Sequence, residues 1–197
     1  TVTLRDIQNN FGEKVAELVN GVTKLSKFTE KSELDRDVEN FRKLILAVCK
    51  DIRVLLIKIC DRLHNMRTIK SIKSRVKRQK ISIETLEIYA PLAERAGLQT
   101  IKNELQDISF FQLHPITYNS IKVRLDFLKE QYGNEEMIIK KQLFQLISSH
   151  GYQIKINSRE KSPYSIWKKM ESKNITFDQL SDVLAFRIIT DKVIIIK

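Results

Sequence analysis

The spacing of apolar residues constrains the fold of this chain more than any other feature, and that spacing changes once along the sequence. Up to about residue 149, apolar positions recur every three or four residues, which is typical of amphipathic helices. After Gly151, residues 152–156 alternate apolar and polar side chains, which predicts a half-buried strand. A helix is then expected at 163–172 and a second strand at 183–189. The pattern predicts a mainly α-helical chain that ends in the start of a β-α-β unit.

The helical part contains few residues that break helices. Glycine and proline number 5 and 3, so long helices are favoured over a turn-rich β architecture. The stretches with helical spacing are residues 12–19, 34–74, 82–90, 99–111 and 116–149. Ser82 is expected to cap the third stretch, and His114-Pro115 marks the boundary before the last. We expect the longest helix to be interrupted near Gly133.

Composition places the chain among soluble globular proteins, since 42% of its residues are hydrophobic and 30% are charged. The net charge of +11 fits either phosphate-bearing partners, such as nucleotides or RNA, or simply solvated helix faces. Cys49 and Cys60 lack metal-site spacing and are too few for a disulfide framework, which predicts a cytoplasmic location. No apolar run could span a bilayer, so no membrane is expected as a partner. The opening without Met indicates the interior of a longer protein.

A first group of polar residues stands at helical spacing within 58–68. Asp61, Asn65 and Thr68 occupy positions i, i+4 and i+7, so they share one helix face. Three small polar side chains opposite an apolar stripe could line a pocket, with the carboxylate as a metal ligand. A solvated face with ordinary helical hydrogen bonds accounts for the same spacing. The residues alone leave both interpretations open.

A second group stands where the first predicted strand ends. Ser162 can cap the next helix, with Pro163 at its first position. The backbone amides at that helix start, beside Arg159 and Lys161, would form an anion site. Lys169 could extend the positive surface nearly two turns further along. The alternative is a capped surface helix with scattered lysines.

A run of basic residues without an intervening acid follows the first group. It could bind RNA or form a solvated loop, and it lacks the interleaved aromatic residues that single-strand binders use. The run comprises Arg67, Lys70, Lys73, Arg75, Lys77, Arg78 and Lys80.

The segment at 58–68 resembles the signature helix of the hydrolase domain of the RelA/SpoT family, a member of the HD-phosphohydrolase superfamily. The core of this match is Asp61-Arg62-Leu63-His64-Asn65-Met66-Arg67-Thr68. Two neighbouring segments match the family in the same order, namely Gly21-Val22-Thr23-Lys24-Leu25 upstream and Glu84-Thr85-Leu86-Glu87-Ile88-Tyr89-Ala90-Pro91-Leu92-Ala93 downstream. By this resemblance Asp61 would be the last ligand of a manganese ion (Mn²⁺), and Asn65 and Thr68 would contact the guanine nucleotide. In the family, the other metal ligands and a catalytic Glu-Asp pair precede the region where this chain begins. The histidines here stand in no His-Asp pair, so unaided hydrolysis of the 3′-diphosphate is not expected.

Residues 158–170 resemble the opening of the family's synthetase domain, which transfers pyrophosphate from ATP to the 3′-hydroxyl of GDP or GTP. On that match Arg159 would stack on the adenine, and Lys161 and Lys169 would hold the ATP phosphates. Residues 177–187 resemble the family's catalytic aspartate strand, with Asp182 as the catalytic carboxylate and magnesium (Mg²⁺) ligand.

The chain departs from the synthetase pattern in two ways. Ser158 stands where the family normally has Gly, and a serine there is expected to strain a turn of positive φ by about 1 kcal/mol. The chain also ends before the family's second magnesium carboxylate, its guanine-stacking tyrosine and its later strands. Phosphoryl transfer depends on that full charge-neutralising set.

The resemblances imply a helical HD-type phosphohydrolase-like domain, truncated at its N-terminus. The start of an α/β nucleotidyltransferase-like synthetase domain, truncated at its C-terminus, would follow it. We expect the first domain at 1–112, a connecting long helix at 113–150 and the second domain at 151–197. The partners implied are guanine nucleotides (ppGpp, GDP or GTP) and ATP.

Three functions remain open. The first is a truncated RelA/SpoT-like protein of guanosine tetraphosphate (ppGpp) metabolism, without complete hydrolase or synthetase activity of its own. The second is one half of a split ppGpp hydrolase/synthetase that a complementing chain completes. The third is a non-catalytic module that binds a nucleotide, RNA or the ribosome.

Overall fold

The computed structural model describes the backbone of residues 2–29, 51–180 and 183–190, and the side chains of these residues except 24–29. The chain divides into two compact units, Thr1–Ser109 and Phe110–Lys197. Helices make up most of the described part, and two strands form a small sheet, which confirms the mainly α fold class. None of the helices described has both the length and the apolar character that a membrane crossing requires.

The first unit is built almost entirely from helices in its described part. Their bounds are α1 Leu4–Phe11, α2 Glu13–Thr29, α3 Ile52–Arg67, α4 Arg75–Glu84, α5 Ala90–Arg95 and α6 Gln99–Leu113, of which the last continues past Ser109 into the second unit. A 3₁₀ turn at Ile69–Ser71 follows α3, and a π-helical turn at Thr85–Tyr89 joins α4 to α5. The helical pattern predicted for 34–50, with Cys49, lies outside the described residues.

Helix α1 lies where the apolar pattern predicts no helix. Thr3 caps it, because the Thr3 amide donates to an Asp6 carboxylate oxygen at 2.8 Å and the Asp6 amide donates to the Thr3 hydroxyl at 3.3 Å. The hydrogen bond from the Thr3 backbone is the main cause that lowers the pKa of Asp6. This reciprocal capping box is a start signal that can be read from the sequence spacing alone.

Helix α4 begins earlier than expected, and Ser82 lies inside it rather than at its start. Ser74 is the cap, and its hydroxyl accepts from the Lys77 amide at 3.3 Å. Ser82 is fully buried, and its hydroxyl donates to the Arg78 carbonyl, 2.9 Å away. Arg78 in turn donates to the Ile72 carbonyl at 2.6 Å. The Ser82 cap is therefore wrong. The loop predicted for the basic run is found only around Lys73, because Arg67 ends α3, Lys70 lies in the 3₁₀ turn and the other four basic residues lie in α4.

The core of the first unit forms where α3 packs against the π turn and α5. Its buried side chains are Val54, Leu55, Ile59, Leu63, Met66, Ile69, Tyr89, Ala90, Leu92, Ala93 and Leu105. Helix α2 approaches α3 closely at Gly21, where an added Cβ would lie only 2.9 Å from a Val54 methyl carbon. Helix α3, which carries the first polar group, therefore packs against α2 on one side and against the π turn and α5 on another.

The second unit contains a long helix, two strands and a shorter helix. Its elements are α7 Pro115–Ser148, β1 Ile154–Glu160, α8 Pro163–Lys173 and β2 Leu184–Thr190. The strands pair antiparallel, from Ile154 opposite Thr190 to Glu160 opposite Leu184. The predicted order of strand, helix and strand is confirmed, but these two strands are not the parallel pair of a β-α-β unit.

Two local expectations for the second unit are wrong. Helix α7 continues without a break through Gly133, which keeps ordinary helical geometry. Ser158 lies inside β1, opposite Phe186, and not in a turn. Among the described residues other than glycine, only Asn174, at the end of α8, has a positive φ. The backbone strain expected at Ser158 therefore does not arise.

An aromatic cluster forms the core of the second unit. Phe110 is fully buried and stacks on Trp167, with ring centroids 4.8 Å apart. Ile121 of α7, Ile166 of α8 and Phe177 complete the buried set. The cluster fixes the start of α8, where the second polar group lies.

Candidate functional site

Helix α3 presents the first polar group on its exposed side. The Asn65 side-chain amide donates to an Asp61 carboxylate oxygen at 3.4 Å, and the Asp61 side chain is 50% exposed. Thr68 ends the helix, and its hydroxyl donates to the His64 carbonyl at 3.0 Å. The structure therefore brings Asp61 and Asn65 into contact, with Thr68 on the same side near the end of the helix.

A lysine one turn earlier belongs to this group and was missed from the sequence. The Lys58 ammonium lies 3.4 Å from an Asp61 carboxylate oxygen, and its side chain is only 11% exposed. It places a positive charge at the edge of the polar face, which favours an anionic ligand there. Its i, i+3 spacing to Asp61 is the sequence signal that could have found it.

The described residues do not provide a complete metal site. Among them, no three His, Cys, Asp or Glu side chains come close enough together to hold an ion. Asp61 offers one carboxylate and Asn65 one amide oxygen, whereas protein-bound divalent cations usually take at least three protein ligands or several oxygens. This donor set does not by itself fit a resident manganese ion.

Arg62, the residue after Asp61, anchors α3 to the helices behind it. Arg62 donates to both carboxylate oxygens of Glu84, at 3.2 and 2.9 Å, and its guanidinium carbon lies 4.0 Å from the centroid of the Tyr89 ring. Burial by itself would lower the pKa of Arg62, but Tyr89 and Glu84 outweigh burial and raise that pKa. Burial raises the pKa of Tyr89, against the opposing effect of Arg62. Arg62 stays charged, and its two partners fix the rotation of α3 about its axis.

The π turn that carries Tyr89 accommodates the proline that follows it. Pro91 has no amide hydrogen, and its ring would clash with the carbonyl four residues earlier in a regular helix. The helix widens here, because the Ala90 amide bonds to the Thr85 carbonyl five residues back. The Thr85 hydroxyl also lies 3.4 Å from the Met66 sulfur on α3. The π turn, a feature frequent at functional sites, thus contacts α3 at two points.

Strand β1 carries the first residues of the second polar group. Arg159 is exposed, at the position opposite Ala185. The Lys161 amide continues the ladder beyond β1 by donating to the Val183 carbonyl at 3.0 Å. Asp182, which precedes Val183 in the sequence, lies outside the described residues. Its role as a magnesium ligand beside these cations stays a prediction.

The start of α8 has the predicted cap. The Ser162 hydroxyl accepts from the Ser165 amide at 3.4 Å, and Pro163 occupies the first turn. Lys169 lies further along α8 and is half-buried. A helix start next to Arg159 and Lys161 combines backbone amides with positive charge, which is the arrangement that binds phosphates in many proteins.

Arg187 on β2 adds a cation that the sequence reasoning missed. It is exposed and stands opposite Asn157, so it lies diagonal to Arg159 on the same face of the sheet. Lys155 is exposed on this face as well, and none of the β1 and β2 residues on it is acidic. The period-two pattern of 183–189 could have placed Arg187 on this outer face.

Two known protein-family models match this chain, one at each end. Residues 1–99 match the family model described as an HD domain. Residues 158–197 match the model of a region found in RelA / SpoT proteins. The first match contains the polar face of α3, and the second contains Arg159, Lys161 and the whole of α8.

Curated bacterial relatives match almost the full chain. The GTP pyrophosphokinase rsh of Brucella melitensis is 40% identical over 193 residues, or 98% of this chain. The bifunctional (p)ppGpp synthase/hydrolase SpoT of Escherichia coli K12 is 43% identical over 96% of it. The guanosine-3′,5′-bis(diphosphate) 3′-pyrophosphohydrolase of Haemophilus influenzae is 42% identical over 97%. The chain spans 26 to 28% of the length of these relatives.

Proposed function

The chain belongs to the RelA/SpoT family, and on that basis we propose that it takes part in guanosine tetraphosphate metabolism by binding two nucleotides. In this proposal a guanine nucleotide binds the exposed face of α3, and ATP binds the outer face of the sheet beside the start of α8. One observation carries the proposal. Asp61, Asn65 and Thr68 are exposed at the side of α3 that faces away from the core of the first unit, and Arg159 is exposed beside the start of α8, whose Ile166 is buried in the core of the second unit. Elements fixed in this way preorganise side chains for a ligand.

On α3, Asp61 would contribute one ligand to a divalent ion such as Mn²⁺, which needs further ligands beyond this face, and Asn65 and Thr68 would contact the guanine nucleotide. The hydrogen bond between Asn65 and Asp61 is long, at 3.4 Å, and exposed, so the Asn65 amide can exchange it for a base edge. Lys58 supports the assignment, because its ammonium adds a positive charge where a phosphate-bearing ligand would lie.

On the sheet, Arg159 would stack on the adenine, and Lys161 and Lys169 would hold the ATP phosphates. A planar guanidinium on an exposed strand face suits stacking on a flat ring. Arg187 on the same face supports the assignment through its charge. Asp182 would complete the site as a ligand for Mg²⁺.

We further propose that these 197 residues complete neither reaction by themselves. The sequence contains three histidines, at 64, 114 and 150, and none is followed by aspartate. Asp61 is the sole metal ligand assigned to the hydrolase face, and Asp182 the sole one assigned to the synthetase face. Transfer of a pyrophosphate needs a larger set of charge-neutralising groups than one carboxylate and its ion.

A second candidate function is one half of an enzyme that a separate chain completes. Apolar side chains are exposed just before α1 and on α1 and α2, with Val2 73% and Phe11 69% exposed, and with Leu4 and Val15 less so. A partner that carries the remaining ligands would cover such a surface. A mixture of this chain with the N-terminal segment of a relative would then hydrolyse ppGpp, whereas the first proposal expects the mixture to stay inactive.

Nucleotide affinity tests the proposed function. The purified chain is titrated calorimetrically with ppGpp and Mn²⁺ in one series, and with ATP and Mg²⁺ in the other. Asn65→Ala is expected to weaken ppGpp binding about tenfold, since it removes hydrogen bonds to the nucleotide, and to leave ATP binding unchanged. Arg159→Ala is expected to do the reverse.

Matched controls come from exposed residues of the same types. Asn134→Ala on α7 and Arg75→Ala on α4 change residues outside both sites. Unchanged affinity in these controls is expected. The assignment fails if the unmodified chain binds neither nucleotide, or if the controls lose as much affinity as the site variants.

A further inference from the structure

Strand β1 is tied to α7 by two polar contacts that lie on either side of Arg159. The Ser158 hydroxyl donates a hydrogen bond to the Glu136 carboxylate of α7. Glu160 lies 3.7 Å from the Lys129 ammonium of the same helix. Because side chains alternate along a strand, Ser158 and Glu160 face α7 while Arg159 faces the opposite side.

Glu136 is a charged acceptor held in place on α7. It accepts from Lys140 at 2.7 Å, one helical turn later, as well as from Ser158. The hydrogen bonds from Lys140 and then from Ser158 lower the pKa of Glu136. A hydrogen bond to a charged group is stronger than one between neutral groups, so Ser158 is held more firmly than an ordinary strand serine.

Apolar packing does not fill the space between α7 and the strand. An open hollow of about 320 Å³ lies there, and the residues that line it include Leu125, Leu128 and Glu136 of α7, Glu160 of β1 and Leu184 of β2. An open hollow of this size admits water, so few apolar contacts hold the strand against the helix at this point. The polar contacts of Ser158 and Glu160 therefore help to set how the end of β1 sits on the helix.

We propose that Ser158 and Glu136 form a positioning link that holds Arg159 at the angle required for an adenine nucleotide. The link rests on the ATP half of the proposed function. A glycine at this position would offer no hydroxyl and could not make the bond. Ser158 is a positioning residue because it acts through Arg159.

Substitutions at Ser158 test the link in the full chain. Ser158→Ala is expected to weaken ATP binding about tenfold, which corresponds to the loss of one hydrogen bond to a charged group. Ser158→Thr keeps the hydroxyl and is expected to restore the affinity to within about twofold. ATP with Mg²⁺ is the probe, and calorimetry is the measurement.

A matched control separates the link from general effects on α7. Lys141 is an exposed residue of the same helix that takes part in none of the contacts described above. Lys141→Gln is expected to leave ATP affinity unchanged, whereas Glu136→Gln is expected to weaken it. Equal ATP affinity in Ser158→Ala and in the unmodified chain would overturn the proposal and leave the ATP assignment intact.

Amide hydrogen exchange gives a readout that does not depend on ATP. Ser158→Ala is expected to speed exchange at the Arg159 and Lys161 amides about tenfold, without a comparable change in α8. If the unmodified chain does not bind ATP, the ATP half of the proposed function fails. The amide exchange rates at Arg159 and Lys161 then test the Ser158–Glu136 link without ATP. Unchanged exchange at both amides would refute the link itself.

Discussion

Phe110→Ala is expected to lower the free energy of unfolding of the second unit by about 4 kcal/mol, because it removes a fully buried ring and leaves a cavity. The ring stacks on Trp167 at 4.8 Å and meets Tyr118 and Tyr164 edge to face, at 5.9 and 6.0 Å. These contacts add to the loss of buried area. The chain has a single tryptophan, so urea unfolding followed by Trp167 fluorescence reports on this core directly.

Phe127→Ala on α7 is the matched control, since its side chain is 56% exposed. It is expected to change the free energy of unfolding by less than about 1 kcal/mol. A loss at Phe110 no larger than the loss at Phe127 would mean that the aromatic cluster does not form as described.

Glu84→Ala is expected to destabilise the first unit by about 3 kcal/mol. It leaves the Arg62 guanidinium, whose side chain is only 12% exposed, without its carboxylate partner. Circular dichroism at increasing urea gives the loss of stability, and amide exchange along α3 locates it. Exchange should rise at Asp61 and Asn65, because Arg62 fixes the rotation of that helix.

Two variants check the cause of this effect. Glu87→Ala removes an exposed carboxylate from the adjoining π turn and is expected to cost less than about 0.5 kcal/mol. A double variant, Arg62→Met with Glu84→Leu, removes both charges and is expected to regain most of the stability, because no buried charge is left unpaired. A double variant as unstable as Glu84→Ala would argue against the ion pair as the cause.

Local patterns predicted the elements of the fold well where spacing and caps agree. A helix was expected at 99–111 and is found at Gln99–Leu113, and the Ser162 cap of α8 is as expected. The predicted break at Gly133 failed for a physical reason. Glycine costs a helix only about 1 kcal/mol, which a helix of 34 residues with a buried anchor at Ile121 absorbs. Ser82 resembled a cap, but a serine can also bond the carbonyl four residues back within a helix.

The sequence could not predict the polar contacts between distant residues. Arg62 and Glu84 are separated by 22 positions, as are Ser158 and Glu136, and both pairs depend on how helices and strands pack. Asp61 and Asn65 lie on one helix, so their contact follows from helical spacing. The roles assigned to Asp61, Asn65, Thr68, Arg159, Lys161, Lys169 and Asp182 come from the family resemblance, and they stay predictions.

One assay tests the central claim most directly, namely that this chain binds nucleotides without completing the chemistry. The purified chain is incubated with ppGpp and Mn²⁺ at a concentration where ppGpp binding is saturated, and released pyrophosphate is measured. We predict no release above a protein-free blank, although ppGpp is bound. Release that disappears in Asp61→Asn, with the fold intact, would contradict the account, because it would mean that the chain assembles a full set of metal ligands around Asp61.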